Sequence, residues 1–148
     1  MEPGPVRLRV ADLDSQREFY ERAIGLSPID SGDGVARLGS DGTPVVELDH
    51  RADAPARPPR TTGLFHLAIL VPDRAALAAA LARAVRAGGR ISGASDHLVS
   101  EALYLNDPDG NGIEIYWDRD PSSWPRRDGQ IDMQTLPLDL DSLLAELA

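Results

Sequence analysis

The chain has 148 residues, 42% hydrophobic and 26% charged, the balance of a soluble globular protein of one domain. A formal net charge of −9 argues against nucleic acid and anionic membrane as partners, and the absence of cysteine removes disulfides, thiolate metal sites and a cysteine nucleophile. The N-terminal MEPGPVRLRVADLD has neither the basic nor the apolar region of a secretory signal, and no apolar run approaches a membrane span; the expectation is a cytoplasmic protein.

Val6, Leu8 and Val10 alternate with Arg7, Arg9 and Ala11, which predicts a first strand. Asp12 or Asp14 then caps a helix whose apolar stripe is Phe19, Tyr20, Ala23 and Ile24, stopped at Gly25. Short strands follow near Ile29, Val35–Leu38 and Val45–Leu48, separated by SGDG and GSDG turns. The polar, Pro- and Arg-rich stretch DHRADAPARPPRTT marks a linker, placed at 51–62, in which Arg51, Arg57 and Arg60 read as solvated.

The pattern then restarts. LFHLAILV is a strand, Pro72-Asp73 opens an Ala/Leu helix over Ala75–Ala87, and Gly88-Gly89 ends it. Arg90-Ile91-Ser92 is a short strand. In DHLVSEALYLNDPDGNGIEIY a further strand from Leu98 to Leu105 runs into a turn dense in Asp, Asn, Gly and Pro, and a last strand begins at Ile113. The remaining chain is irregular until Leu140, Leu143, Leu144 and Leu147 form a short amphipathic helix capped by Asp139 or Asp141. Such a stripe must dock on its own domain or on a neighbouring subunit.

Two halves of the same β-α-β-β-β order emerge: module one at 5–50, module two at 63–118, within one domain over 1–120, and a tail at 119–148. Val10-Ala11-Asp12 matches Val71-Pro72-Asp73. Glu47 stands nine residues after Leu38 and Glu114 nine after Leu105, each on its module's last strand. His66 and Pro5 begin the two first strands at equivalent positions. The fold class is α+β, with modules that share a core because neither sheet can bury itself alone.

Period two sets Glu114 and Tyr116 on the face opposite Ile113 and Ile115, so the carboxylate looks into solvent or a cavity. With His66, His97 and Glu47 it makes a set of imidazoles and carboxylates, without thiols, suited to Fe(II), Mn(II), Ni(II), Zn(II) or Co(II). Each has a plainer reading: a solvated strand carboxylate, a strand histidine satisfied by backbone, a loop histidine beside Asp96. His97 held by Asp96 is alternatively a general acid/base near neutral pH. No G-x-S-x-G, G-x-G-x-x-G or Gly-Lys-Ser/Thr occurs, which removes the commonest hydrolase and phosphate-loop motifs.

VRLRVADLDSQREFYERAIGL, GLFHLAILVPD and LYLNDPDGNGIEIYW together resemble the vicinal oxygen chelate superfamily: glyoxalase I, bleomycin-resistance proteins, fosfomycin-resistance enzymes and extradiol dioxygenases. RTTGLFHLAIL and SDHLVSEALYLNDPDGNGIEIYWDR are most similar to the N-terminal part of bacterial catechol-2,3-dioxygenase-type proteins. The resemblance implies paired βαβββ modules in a cupped mixed sheet around a divalent metal, Fe(II) foremost, with Mn, Ni or Zn as alternatives. Its ligand positions fall on Pro5, Glu47, His66 and Glu114, and three of these four can bind a metal. It further implies a small-molecule substrate, with His97 either replacing the ligand lost at Pro5 or serving as acid/base group and Tyr104 and Tyr116 as substrate-binding residues; the short length and the leucine-striped tail add the expectation of a homodimer. Two functions follow: a metal-dependent enzyme of extradiol ring-cleaving type, or a non-catalytic small-molecule or drug-sequestering protein.

Overall fold

The computed structural model describes residues 4–55 and 62–148, so Arg57 and Arg60 of the linker lie outside the described residues. Module one is β1 (Val6–Val10), α1 (Leu13–Phe19) continued by a π turn over Tyr20–Ile24, β2 (Ser27–Gly32), β3 (Val35–Ser40) and β4 (Thr43–His50). Module two is β5 (His66–Leu70), α2 (Arg74–Arg86), β6 (Ile91–Asp96), β7 (Ser100–Asn106) and β8 (Gly112–Asp118). The tail adds a 3-10 turn at Pro121–Ser123, a hairpin of β9 (Arg126–Arg127) and β10 (Gln130–Ile131), β11 (Leu136–Pro137) and α3 (Leu140–Leu144).

The α+β class and the repeated βαβββ order are those expected. The first sheet runs β1-β4-β3-β2 and the second β11-β6-β7-β8-β5. In each, the first strand of the module lies parallel to its last, and the other pairs are antiparallel. The strands are hydrogen-bonded as two separate mixed sheets rather than one, and β1 and β5 are both edge strands among the described residues.

The caps settle three local choices. Asp12, not Asp14, accepts from the Ser15 N–H at 3.0 Å; Asp73 accepts from Ala76 at 2.7 Å; Asp139, not Asp141, accepts from Ser142 at 2.9 Å. The first helix does not simply stop at Gly25. The N–H groups of Gly25 and Leu26 both donate to the Tyr20 carbonyl, at 3.0 and 2.9 Å, which widens the last turn. Asp49 belongs to β4 rather than the linker and is buried between Arg7 and Arg51. The strand expected from Leu98 starts only at Ser100, because His97, Leu98 and Val99 make the turn between β6 and β7.

Both modules contribute to one core. Val10, Leu38, Val46 and Leu48 from the first sheet join Leu103, Leu105, Ile113 and Ile115 from the second, with Tyr20, Ile24, Leu77 and Leu81 from the helices and Leu143 from α3. The helices meet where α2 packs on the π turn. There the Arg83 guanidinium donates to the Ile24 carbonyl and lies over Gly25, whose left-handed φ of 88° and missing Cβ leave room for it.

The DPDGN turn explains itself at Asp107, which is buried. Its carboxylate accepts from the N–H groups of Asp109 and Asn111, from the Asn111 side chain, and from the Tyr20 hydroxyl at 3.3 Å. One aspartate therefore both shapes the turn and ties module two to module one.

Candidate active site

The second sheet buries one face and leaves the other for chemistry. Ile113 and Ile115 are buried, so Glu114 and Tyr116 must point the opposite way, as their parity requires. In the β7–β8 hairpin Tyr104 lies directly across from Glu114, a register fixed by the five-residue turn at 107–111. On the other side β5 places His66 across from Gly112 and Ala68 across from Glu114. A Cβ on Gly112 would sit 2.7 Å from the Phe65 carbonyl oxygen, so only glycine lets the start of β5 lie this close to β8. His66 reaches Glu114 because of that approach.

A continuous polar line results. His66 Nε2 is 2.8 Å from Glu114 Oε2, and the Tyr104 hydroxyl is 2.9 Å from Glu114 Oε1. The same hydroxyl is 2.9 Å from His97 Nε2, and His97 Nδ1 is 2.7 Å from the Gln134 carbonyl oxygen. His66 and Glu114 are partly exposed, at 30% and 15% of their side-chain surface, so the line is open to a small molecule. Burial, and then the hydrogen bond and charge of Glu114, push the Tyr104 phenol up to about 12. It is therefore a protonated hydrogen-bond donor at neutral pH. Burial, Asp118 and Glu114 also raise Tyr116, which lines the same face.

His97 is not held by Asp96, contrary to the expectation from their adjacency. Asp96 accepts from the Leu98 N–H at 2.8 Å and is clasped by Arg119, whose Nη1 and Nη2 lie 2.7 and 2.9 Å from its two oxygens. Those bonds hold the Asp96 carboxyl below the usual carboxylate range, the Arg119 hydrogen bond foremost, against the opposing effect of burial. Arg119 also reaches the buried Glu101, which pairs with Arg74. This brace shapes the turn that presents His97. Its members are spread from residue 74 to 119, and no local sequence signal joins them; nor does any signal single out Gln134.

Glu47 lies elsewhere. It sits on the open face of the first sheet, paired with Arg37 Nε at 2.7 Å, and Arg37 also holds Asp30 at 2.9 Å. Among the described residues no three His, Asp or Glu side chains gather closely enough to hold a metal ion. Of the expected ligand set, the fold thus joins His66 and Glu114 and adds Tyr104 and His97, but leaves Glu47 apart. Glu47 belongs to the first sheet, His66 and Glu114 to the second, and the modules touch where α2 packs on the π turn.

Comparison with known proteins agrees with this fold. The chain is 45% identical over 146 residues to a catechol-2,3-dioxygenase of Bacillus subtilis (strain 168), covering 97% of this chain and 51% of that relative. It therefore spans about half the relative's length. Two solved structures share the fold: a glyoxylase/bleomycin resistance protein/dioxygenase domain from Frankia sp. EAN1pec, and a glyoxalase/dioxygenase from Nostoc punctiforme. The Frankia domain has TM-score 0.70 and 20% identity, over 82% of this chain and 94% of that one. The Nostoc protein has TM-score 0.66 and 22% identity, over 78% and 89%. Residues 3–115, which contain both βαβββ modules up to Ile115, match the family profile. With that span and the repeated topology in agreement, the chain belongs to the Glyoxalase/Bleomycin resistance protein/Dioxygenase superfamily.

Proposed function

We propose that this chain acts, alone or as part of a larger protein, in a divalent-metal-dependent reaction on a small substrate with vicinal oxygens, of the extradiol catechol-cleaving type. The observation that carries it is the line His66–Glu114–Tyr104–His97 on one open sheet face. Identity to the Bacillus catechol-2,3-dioxygenase supports the substrate class.

His66 and Glu114 would hold the cation. In the structure the two side chains meet directly, His66 Nε2 2.8 Å from Glu114 Oε2, so both reach one place on the open face. Imidazole with carboxylate suits Fe(II) first, and Mn(II), Ni(II) or Zn(II) as alternatives. Such an ion would supply Lewis-acid chemistry to the vicinal oxygens of the substrate, easing loss of their protons. The protein's own groups then do the rest. Tyr104, protonated and fixed opposite Glu114, donates a hydrogen bond toward an oxygen on this face. His97 holds or takes a proton at Nε2 as the acid/base group. Tyr116 walls the face.

Within one chain His66 and Glu114 are the donors brought together, since Pro5 has no ligating side chain and Glu47 stands on the other sheet. A homodimer completes the set in this reading, with Glu47 coming from the second copy. What supports it is that β1 and β5 are edge strands among the described residues, and that the apolar side chains beside β5 are open, with Phe65 and Leu70 87% and 57% exposed.

Elemental analysis of the purified protein, beside His66→Ala and Glu114→Ala, is the test. The expected result is near-stoichiometric metal lost in both variants, and turnover of a catechol after anaerobic Fe(II) loading. No metal above background after loading overturns the proposal. It would leave the second reading, a non-catalytic small-molecule or drug-binding protein, which the two-donor count and Pro5 favour.

A further inference from the structure

We infer that the backbone carbonyl of Gln134 is the positioning group for His97, and that the tail segment carrying it is a working part of the site. This rests on the reading of His97 as the acid/base group. A carbonyl oxygen only accepts, so a ring nitrogen 2.7 Å from it carries the proton: His97 is protonated at Nδ1. In the neutral ring Nε2 is then a bare lone pair, and it faces the Tyr104 hydroxyl at 2.9 Å. Nε2 is the atom that accepts a proton on the open face. The main chain of the tail, not a carboxylate, selects it.

Three further observations belong with this contact. The Gln134 N–H donates to the His97 carbonyl at 3.3 Å, so one residue grips both the ring and the backbone of His97. The segment reaches there by a defined route: Arg127 pairs with Asp132 at 3.2 Å, Asp132 accepts from the Gln134 side chain, and β11 pairs with β6 through Leu136–Asp96 and Pro137–Ser95. On the other side of the ring, Leu98 adopts a left-handed φ of 68°, which a bulky residue takes only under constraint, and this turn aims His97 at Tyr104. The side chains from Ile131 to Pro137 are exposed or half-buried, none fully buried. Apolar anchoring comes from Leu138, packed against the core, and from buried Leu143 in α3. What this segment offers the rest of the molecule is chiefly backbone polar groups, which go to His97 and β6, with the Thr135 hydroxyl a longer 3.5 Å from His97 Nδ1.

The test is a two-bond ¹H–¹⁵N correlation spectrum of the full-length protein labelled at histidine, read at a pH where the His97 ring is neutral. His97→Gln assigns the signals among the three histidines. The expected result is a protonated Nδ1 and a bare Nε2; a His97 ring protonated at Nε2 overturns the inference. A second arm replaces Thr135 by its α-hydroxy acid, turning the Gln134 carbonyl into a weaker ester acceptor without changing a side chain. The Nδ1–H population should fall, and turnover of a catechol should drop about tenfold, a fraction of what general acid–base catalysis supplies, with metal content and KM unchanged. Gln134→Ala, which keeps the carbonyl, should leave the tautomer as it was. An ester variant with unaltered tautomer overturns the inference. The spectrum needs no activity, so a protein inert toward catechols would count against the proposed function and leave this result readable.

Discussion

Tyr104 has one proton and two acceptors within 2.9 Å, Glu114 Oε1 and His97 Nε2. A group so placed couples its neighbours: whichever oxygen or nitrogen it serves, the other must find a proton elsewhere. Tyr104→Phe breaks the line at its centre without altering the packing of the ring. The expected outcome is a 10- to 100-fold loss of turnover, about 1.4–2.7 kcal/mol of transition-state stabilisation, with metal content retained. Steady-state kinetics beside metal analysis checks it, and equal loss of both would assign Tyr104 to the metal site instead. The tyrosines also set an alkaline limit. All three are raised: Tyr20 by burial and Asp107, Tyr104 to about 12, Tyr116 by burial and nearby carboxylates. A raised folded-state pKa contributes stability that is whole below the unfolded value of about 10 and is lost as pH climbs through the folded one. Tyrosinate absorbance should therefore appear late and together with loss of circular dichroism, rather than ahead of it.

At the level of the element, the critical contact is the approach of β5 to β8 over Gly112. Its missing Cβ, 2.7 Å from the Phe65 carbonyl if built, lets His66 stand within reach of Glu114. Gly112→Ala must push backbone, not a flexible side chain. It should cost about 1–3 kcal/mol of stability by urea denaturation and weaken metal uptake beyond what the lost stability explains. The β7–β8 hairpin is more robust, because Asp107 satisfies the turn from within and the register follows from the turn. Strand alternation, helix caps and that turn are legible in the sequence because each is fixed by residues a few positions apart. The π turn at Tyr20–Ile24 is not, since it arises where the helix end packs on α2. The partner of His97 is not legible either. Asp96 is adjacent in sequence, yet Arg119 and the Leu98 N–H claim its carboxylate, and the ring turns to Gln134, 37 residues away.

Taken whole, each chain carries a net charge of −9, and among the described residues its edge strands β1 and β5 differ in character. β1 presents Arg7 and Arg9, while the β5 edge presents Phe65 and Leu70. Association of two like-charged chains through such edges should strengthen as salt screens their repulsion. Light scattering behind size exclusion is expected to show more dimer near 0.3 M salt than near 0.01 M. A monomer at both, at concentrations where metal still binds, would remove Glu47 from the ligand set.

The sequence by itself determined the βαβββ repeat, the face on which Glu114 and Tyr116 lie, and the equivalence of His66 with Pro5, because period, turn chemistry and repeat spacing are local or translational properties. The tertiary structure alone decided which of the candidate groups meet. The modules join through their helices, so Glu47 stays with Arg37 on one sheet while His66, Glu114, Tyr104 and His97 line up on the other. That choice depends on how two apolar helix faces and a tail pack, a many-body balance of buried surface that no single stretch of the chain encodes.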